Sequence, residues 1–350
     1  MKYAKQRGLT MIELLVALAI GSFLIIGAVT VQSQTRNTFT VNENQARLQE
    51  TARYALSVLE SDVQLASLYG YSNIPEGVLL RDKDGKTYAA ADMTTDKTSI
   101  GLSGKWDDCG ANQVFSVVYP IQAEDGEWKK GCTTGGNGQI PGTDTLTVRH
   151  SGTEKVDPVD GRLQFFANRL HPENSSLIMD GKPPQALEDN IKEIRDYFMR
   201  MYYIAQDSEG RPNLPAMRVK QITSTDDAPD SWDDQEVVRG VEDIQIELGV
   251  DPGDPNSDGV IEKSESGLAV NVNGNVARYV PPGDAILKSG QVVAVRIWVR
   301  VRAEEAEKGF SDRRNYNYAS VKDFTPVDGF RRVLMSRTIF LRNTRNVPQS

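Results

Sequence analysis

Apolar residues are distributed unevenly along this chain. From Leu14 to Thr35 no position carries a charge, and the run "LLVALAIGSFLIIGAVTVQSQT" is apolar on every side of a helix. Its 22 residues would extend about 33 Å as a helix, enough to cross a bilayer core. After Arg36 the pattern narrows to one stripe, in which Leu48, Ala52, Ala55, Leu59, Val63 and Ala66 recur at spacings of three and four. On the other face, Glu43 with Arg47 and Glu50 with Arg53 supply opposite charges at helical spacing. No breaker intervenes before Gly70, so the spacing predicts a single helix from about residue 10 to 69.

Beyond it the period changes to two. "DTLTVRHSG" sets Leu146, Val148 and His150 against Thr145, Thr147 and Arg149, and "VEDIQIELGV" sets Ile244, Ile246, Leu248 and Val250 against acids and Gln. These read as half-buried strands. "VVAVRIWVRVRAE" is the cleanest, with Val293, Val295, Ile297, Val299 and Val301 on one face and Arg296, Trp298, Arg300 and Arg302 on the other; "RRVLMSRTIFLRN" reads the same way. "IKEIRDYFMRMYYIAQ" fits both periods and is read as a helix passing into a strand. Polar stretches at 82–112, 126–143, 207–236 and 251–291 read as long loops, with the acidic "DDAPDSWDDQE" as solvated loop. No repeat or linker divides the head. The fold class expected is α+β: a long N-terminal helix packed on a large, mostly antiparallel β head.

Composition narrows the function. A formal charge of −8 without basic clusters excludes a general nucleic-acid binder, which needs clustered Lys and Arg. Two cysteines and two histidines leave no soft-ligand metal constellation. His150 and His171 stand without a nucleophile motif and read as structural or surface residues. No usable GxSxG, HExxH or GxGxxG occurs, and "CTTGGNGQIPG" lacks the lysine and the strand-to-helix setting of a phosphate loop, so it reads as a flexible surface loop. The chain is therefore expected not to be an enzyme.

The N-terminus is more specific. Lys2, Lys5 and Arg7 precede Gly8, a basic flank that keeps the first residues cytoplasmic and sends everything after Arg36 across the membrane. "ALA" at 17–19 offers a signal-peptidase pattern, but the apolar run continues well past it. Glu13, an acid inside the apolar segment, costs insertion free energy and marks a partner. Cleavage between Gly8 and Leu9 would set the new α-amine four residues from that carboxylate, at a helix start where a negative charge is also favoured.

Gly8 followed by "LTMIE" and an apolar helix resembles the type III signal of type IV prepilins and pseudopilins. The resemblance implies removal of residues 1–8 by a prepilin peptidase that methylates Leu9, and a role for Glu13 in docking subunits. Leu9 stands where Phe or Met is commoner, and Thr30 where many major pilins have proline, implying a straighter helix or a subunit other than the main building block. "ARYALSVLESDVQLASLYGY", "GTDTLTVRHSG", "MYYIAQDSEGRPNL", "VEDIQIELGVDPGDPNSDGVIE", "VVAVRIWVRVR" and "RRVLMSRTIFLRN" resemble, in order, stretches of the PilW-like minor pilins.

That resemblance implies a minor pilin, anchored in the inner membrane with its head in the periplasm, and at the cell surface if it reaches the pilus tip. It would join other minor pilins and the major pilin in initiating or capping a type IV pilus, with a tip adhesin as a further partner. The organisation expected is 1–8 leader, 9–69 helix with its transmembrane half about 9–35, and 70–350 head. Three alternatives stay open: a tip adhesive or ligand-binding module, favoured if the long loops and "NYNYASV" at 315–321 form an exposed aromatic patch, a type II secretion pseudopilin, and an anchored periplasmic enzyme.

Two head features carry chemistry. Cys109 and Cys132 lie in an exported segment, where a disulfide is expected and two buried thiols are the alternative. "DPNSDGVIEKSE" matches the calcium loop D-x-[DN]-x-[DN]-G-x5-E: Asp254, Asn256 and Asp258 as oxygen ligands, Val260 through its carbonyl, Glu262 at the often water-bridged position and Glu265 closing the set. An ion-free polar turn is the alternative.

Overall fold

The computed structural model describes residues 10–70, 78–81, 87–89, 109, 114–170, 175–182, 192–225, 228–253, 272 and 274–343. Two compact units divide at Gln49 and Glu50. One helix, α1 (Met11–Leu65), contributes to both and runs unbroken through Thr30.

In the first unit the helix exposes Leu14, Leu15, Leu18, Phe23, Leu24 and Ile25. Its hydroxyl groups are satisfied within the helix: Ser22 Oγ donates to Ala19 O, and Thr30 Oγ1 to Ile26 O, each at 2.8 Å. A segment whose polar groups bond internally can lie in hydrocarbon, and this one has the length and composition to cross a membrane.

The second unit holds fifteen strands among the described residues. One sheet runs β2 (Thr87–Ala89), β1 (Leu79–Arg81), β6 (Ser176–Asp180), β5 (Asp160–Asn168), β7 (Lys192–Ala205), β4 (Thr145–Ser151), β3 (Ile121–Glu124), with β8 (Ala216–Thr225) joining β7 and β9 (Ala228–Arg239) joining β8. The second runs β11 (Arg278–Val280), β10 (Val241–Asp251), β12 (Gln291–Arg302), β15 (Arg332–Phe340), and β13 (Tyr316–Tyr318) with β14 (Val321–Phe324) forms a separate hairpin. Every named pairing is antiparallel except β1 with β6. The expected α+β class is the observed one.

The strands differ from the expectations where burial is two-sided. Residues 192–205 are one strand, not a helix passing into a strand. Phe198, Arg200 and Tyr202 lie on one face of β7, while Tyr197, Met199 and Met201 enter the apolar core on the other. A strand buried on both faces has apolar residues at odd and even positions, which imitates a helical spacing. β4 is likewise buried throughout, Arg149 included, rather than half-buried. Its Nη1 donates to Tyr119 O at 2.7 Å.

The acidic stretch read as solvated loop contributes β9, whose charges pair across to β8: Arg218 Nε meets Asp234 Oδ1 at 2.8 Å. Asp234 thus has cross-strand partners rather than solvent alone. The polar face of β10 is covered too. Tyr318 Oη donates to Asp243, Ser320 Oγ to Gln245, and Phe324 lies 4.0 Å from the Arg300 guanidinium. Tyr316 and Tyr318 are therefore buried, and the exposed aromatic patch that would favour the adhesive alternative is not formed by them.

Candidate functional site

α1 begins with a reciprocal cap. Thr10 N–H and Thr10 Oγ1 both donate to Glu13 Oε2 at 2.8 Å, and Glu13 N–H approaches Thr10 Oγ1 at 3.4 Å. This is the S/T-x-x-E capping box, with Thr10 as N-cap and Glu13 three positions on. The signal stood in the sequence as "TMIE". The cap holds the Glu13 carboxylate at the helix end, where aligned peptide dipoles favour a negative charge. Among the described residues, Oε1 accepts no hydrogen bond. Gly8 and Leu9 lie outside the described residues.

In the second unit the end of α1 is fastened to the head. Ala52, Ala55, Leu59 and Val63 are buried, matching the apolar stripe. Asp62, on the same face, is buried and takes three neighbours: Arg200 Nη1 at 2.6 Å, Tyr202 Oη at 2.5 Å and His150 Nε2 at 3.9 Å. His150 Nδ1 lies 2.8 Å from Ser151 O, so Nδ1 carries a proton that it donates to that carbonyl. Burial holds the imidazole below its ordinary range, with Arg200 adding to the effect against Ser151 O and Asp62. His150 is structural, as its lone position suggested. The helix ends with Ser67 in the left-handed region, φ 65°, after which Leu68 O accepts from Ser151 N–H at 2.7 Å and Ser151 Oγ at 2.8 Å. Glu60 pairs with Arg337, and Asn343 Nδ2 donates to Gln64 O at 3.3 Å and Ala66 O at 3.2 Å.

Cys109 and Cys132 form the disulfide. The chain after it is tied down rather than flexible. Trp128 Nε1 donates to Cys132 O at 2.7 Å, and Gly135 N–H donates to Tyr203 Oη at 2.8 Å and Asp234 Oδ2 at 3.0 Å. A Cβ on Gly136 would meet Asp207 O at 2.4 Å, which explains the glycine there. Burial would raise the Asp234 carboxyl, but bonds from Arg218, Tyr203 and Gly135 hold it below its ordinary value.

Asp144 joins the two sheets. Its Oδ2 accepts Ile246 N–H at 2.8 Å, its Oδ1 accepts Gly126 N–H at 3.3 Å, and its own N–H donates to Ile244 O at 3.0 Å. No sequence motif marks Asp144 or Asp62, because both act through partners distant along the chain. Among the described residues no group of three His, Cys, Asp or Glu converges to hold a metal. The candidate calcium ligands Asp254, Asn256, Asp258, Val260, Glu262 and Glu265, and His171, lie outside the described residues.

The family model for type IV pilus-assembly protein W matches residues 201–343, and that for the prokaryotic N-terminal methylation motif matches residues 3–29. No curated protein and no solved structure matches the chain. The first match runs from Met201, beside the Arg200 that grips the helix, to Asn343, which caps the helix end. The second covers the prepilin signal, implying prepilin-peptidase processing and a membrane-anchored chain. The methylation motif at the head of the chain and the pilus-assembly match over residues 201–343 together support a PilW-like minor pilin of type IV pilus assembly.

Proposed function

We propose that the chain initiates or caps the pilus fibre by packing its apolar helix against those of other minor pilins and the major pilin, without catalytic chemistry. The observation that carries this reading is the exposure of apolar residues around α1 from Leu14 to Val31, a surface that water does not tolerate and neighbouring helices or lipid would cover. Processing is between Gly8 and Leu9, and the methylated Leu9 amine of this or a neighbouring subunit pairs with Glu13 Oε1. The basic flank supports a periplasmic head, as does a Cys109–Cys132 disulfide. Deleting the gene and scoring piliation tests the reading: loss of pili is the expected outcome, normal pili with lost attachment would favour a tip adhesin, and blocked protein export a secretion pseudopilin.

The same reading extends to 254–265 as a calcium loop. Its support is the ligand spacing, which begins three residues after Asp251, the acceptor of Gly253 N–H at 2.9 Å and Gly274 N–H at 2.8 Å.

A further inference from the structure

β12 and β15 are joined by a far longer connection than their pairing requires. Arg302 stands directly opposite Arg332, a register that a short turn would close. Instead residues 303–331 leave the sheet, carry the β13–β14 hairpin over the outer face of β10 and β12, and return to the same register.

This segment is tied to itself by backbone and to the head by side chains. Glu307 N–H donates to Gly329 O at 2.8 Å, Asp312 N–H to Asp328 O at 2.7 Å and Val327 N–H to Asp312 O at 2.9 Å, and β13 and β14 pair only with each other. Toward the head, Arg332 Nη1 and Nη2 donate to Asp328 at 2.6 and 2.7 Å, and Tyr318 Oη sits between Asp243 and Arg300. The buried side chains within 303–331 are Asp312, Tyr316 and Tyr318, with no aliphatic residue among them. Apolar burial, the main force that seats an element, is therefore small here. Lifting the segment would also return Asp243, Arg300 and Arg332 to water, which offsets part of the pairing lost.

The closed form is strained as well. Ala319, Asp323 and Val327 take φ of 45°, 53° and 51°, a region that residues other than glycine rarely adopt. Ala319 opens the two-residue turn between Tyr318 and Val321, where glycine is favoured. Val327 is β-branched and 63% exposed, so burial of its side chain does not compensate. Strain of this kind persists only while the surroundings impose it.

We propose that residues 303–331 are a reversible strap, which lifts from the outer face of β10 and β12 while β10, β12 and β15 stay paired. Once lifted it loses its own order, because an isolated two-stranded hairpin is marginal in water. The head thus has a second native form in which the charged face is open to solvent. This holds independently of the pilin reading.

The test uses the full chain in detergent micelles and reads amide exchange under native conditions. The Glu307, Asp312 and Val327 amides are expected to share one protection factor, at least about tenfold below that of the β12 amides. Val295→Ala separates a strap from a mere part of the sheet. It weakens the core beneath β12 in the closed and the lifted form alike, so β12 should lose roughly thirtyfold protection while the three strap amides keep theirs. Equal losses mean that 303–331 opens only when the head unfolds, and overturn the proposal. Trypsin gives a reading on the unmutated chain. A cut at Arg313 or Lys322, both exposed, should appear while β12 amides remain protected, and Tyr318→Phe, which takes the hydroxyl from Asp243 and Arg300, should speed it about tenfold. Resistance of both sites until the sheet unfolds, or a rate that Tyr318→Phe leaves unchanged, contradicts the strap.

Discussion

Asp62 on α1 and Arg200 on β7 lie 2.6 Å apart although 138 residues separate them in the chain. Tyr202 Oη shares the same carboxylate at 2.5 Å. A buried carboxylate is tolerated only when its lone pairs are taken up, so this contact fixes the rotation of the helix against the head. Asp62→Ala would leave the Arg200 charge and the Tyr202 hydroxyl without their partner. The expected loss is about 3 kcal/mol, measured by denaturant unfolding; Asp62→Asn, which keeps an acceptor for Tyr202, should lose less.

The junction of the two sheets should report pH. Burial pushes the Asp144 carboxyl up to about 7, against the pull of the Ile246 and Gly126 amides. The native state then holds a proton that the unfolded chain gives up above its ordinary value of 3.8, so stability falls as pH rises through that window. Asp144→Asn does not titrate. Between pH about 5 and about 8, the parent should lose on the order of 2 kcal/mol relative to this variant, read from paired melting curves. His150, held low by burial, titrates with the opposite sign, but it is present in both chains and cancels.

The disulfide closes a sequence separation of 23 residues, which on the chain-entropy model contributes about 3 kcal/mol. Replacing Cys109 and Cys132 by Ser should lower the denaturation midpoint accordingly. The helix should remain fastened, since Asp62, Arg200 and Asn343 lie outside the loop.

The patterns legible in the sequence were those whose cause is local. The apolar run to Thr35, the stripe through Ala52, Leu59 and Val63, and the alternation along β12 each follow from one element facing one environment. β7 imitates a helix because Tyr197 and Tyr202 are buried on opposite faces, and β9 imitates a loop because Asp234 is neutralised by Arg218, a partner on another strand. Asp62 and Asp144 carry no local signal, and only the assembled sheets show what they hold. The Thr10–Glu13 cap is the opposite case: its signal, a threonine three residues before a glutamate, is entirely local.

Calcium gives a separate expectation. With extracellular-type affinity near 10⁻⁴ M and roughly 1 mM free ion, occupancy of 254–265 would add about 1.4 kcal/mol to the head. The full chain in detergent should melt higher in calcium than in chelator. Magnesium should substitute poorly, because it demands a tighter octahedron. Asp258→Ala should abolish the shift, and no heat on titration with millimolar calcium would reduce the loop to a polar turn.

The account as a whole depends on the chain being processed as a pilin, and the mass of its N-terminal peptide, taken from membranes of cells that carry the prepilin peptidase, tests this most directly. The mature chain should begin at Leu9 with a methylated α-amine, having lost Lys2, Lys5 and Arg7 with the leader. Recovery of Met1 on the membrane-bound chain, or a start at Ile20 after a signal-peptidase cut, would contradict it.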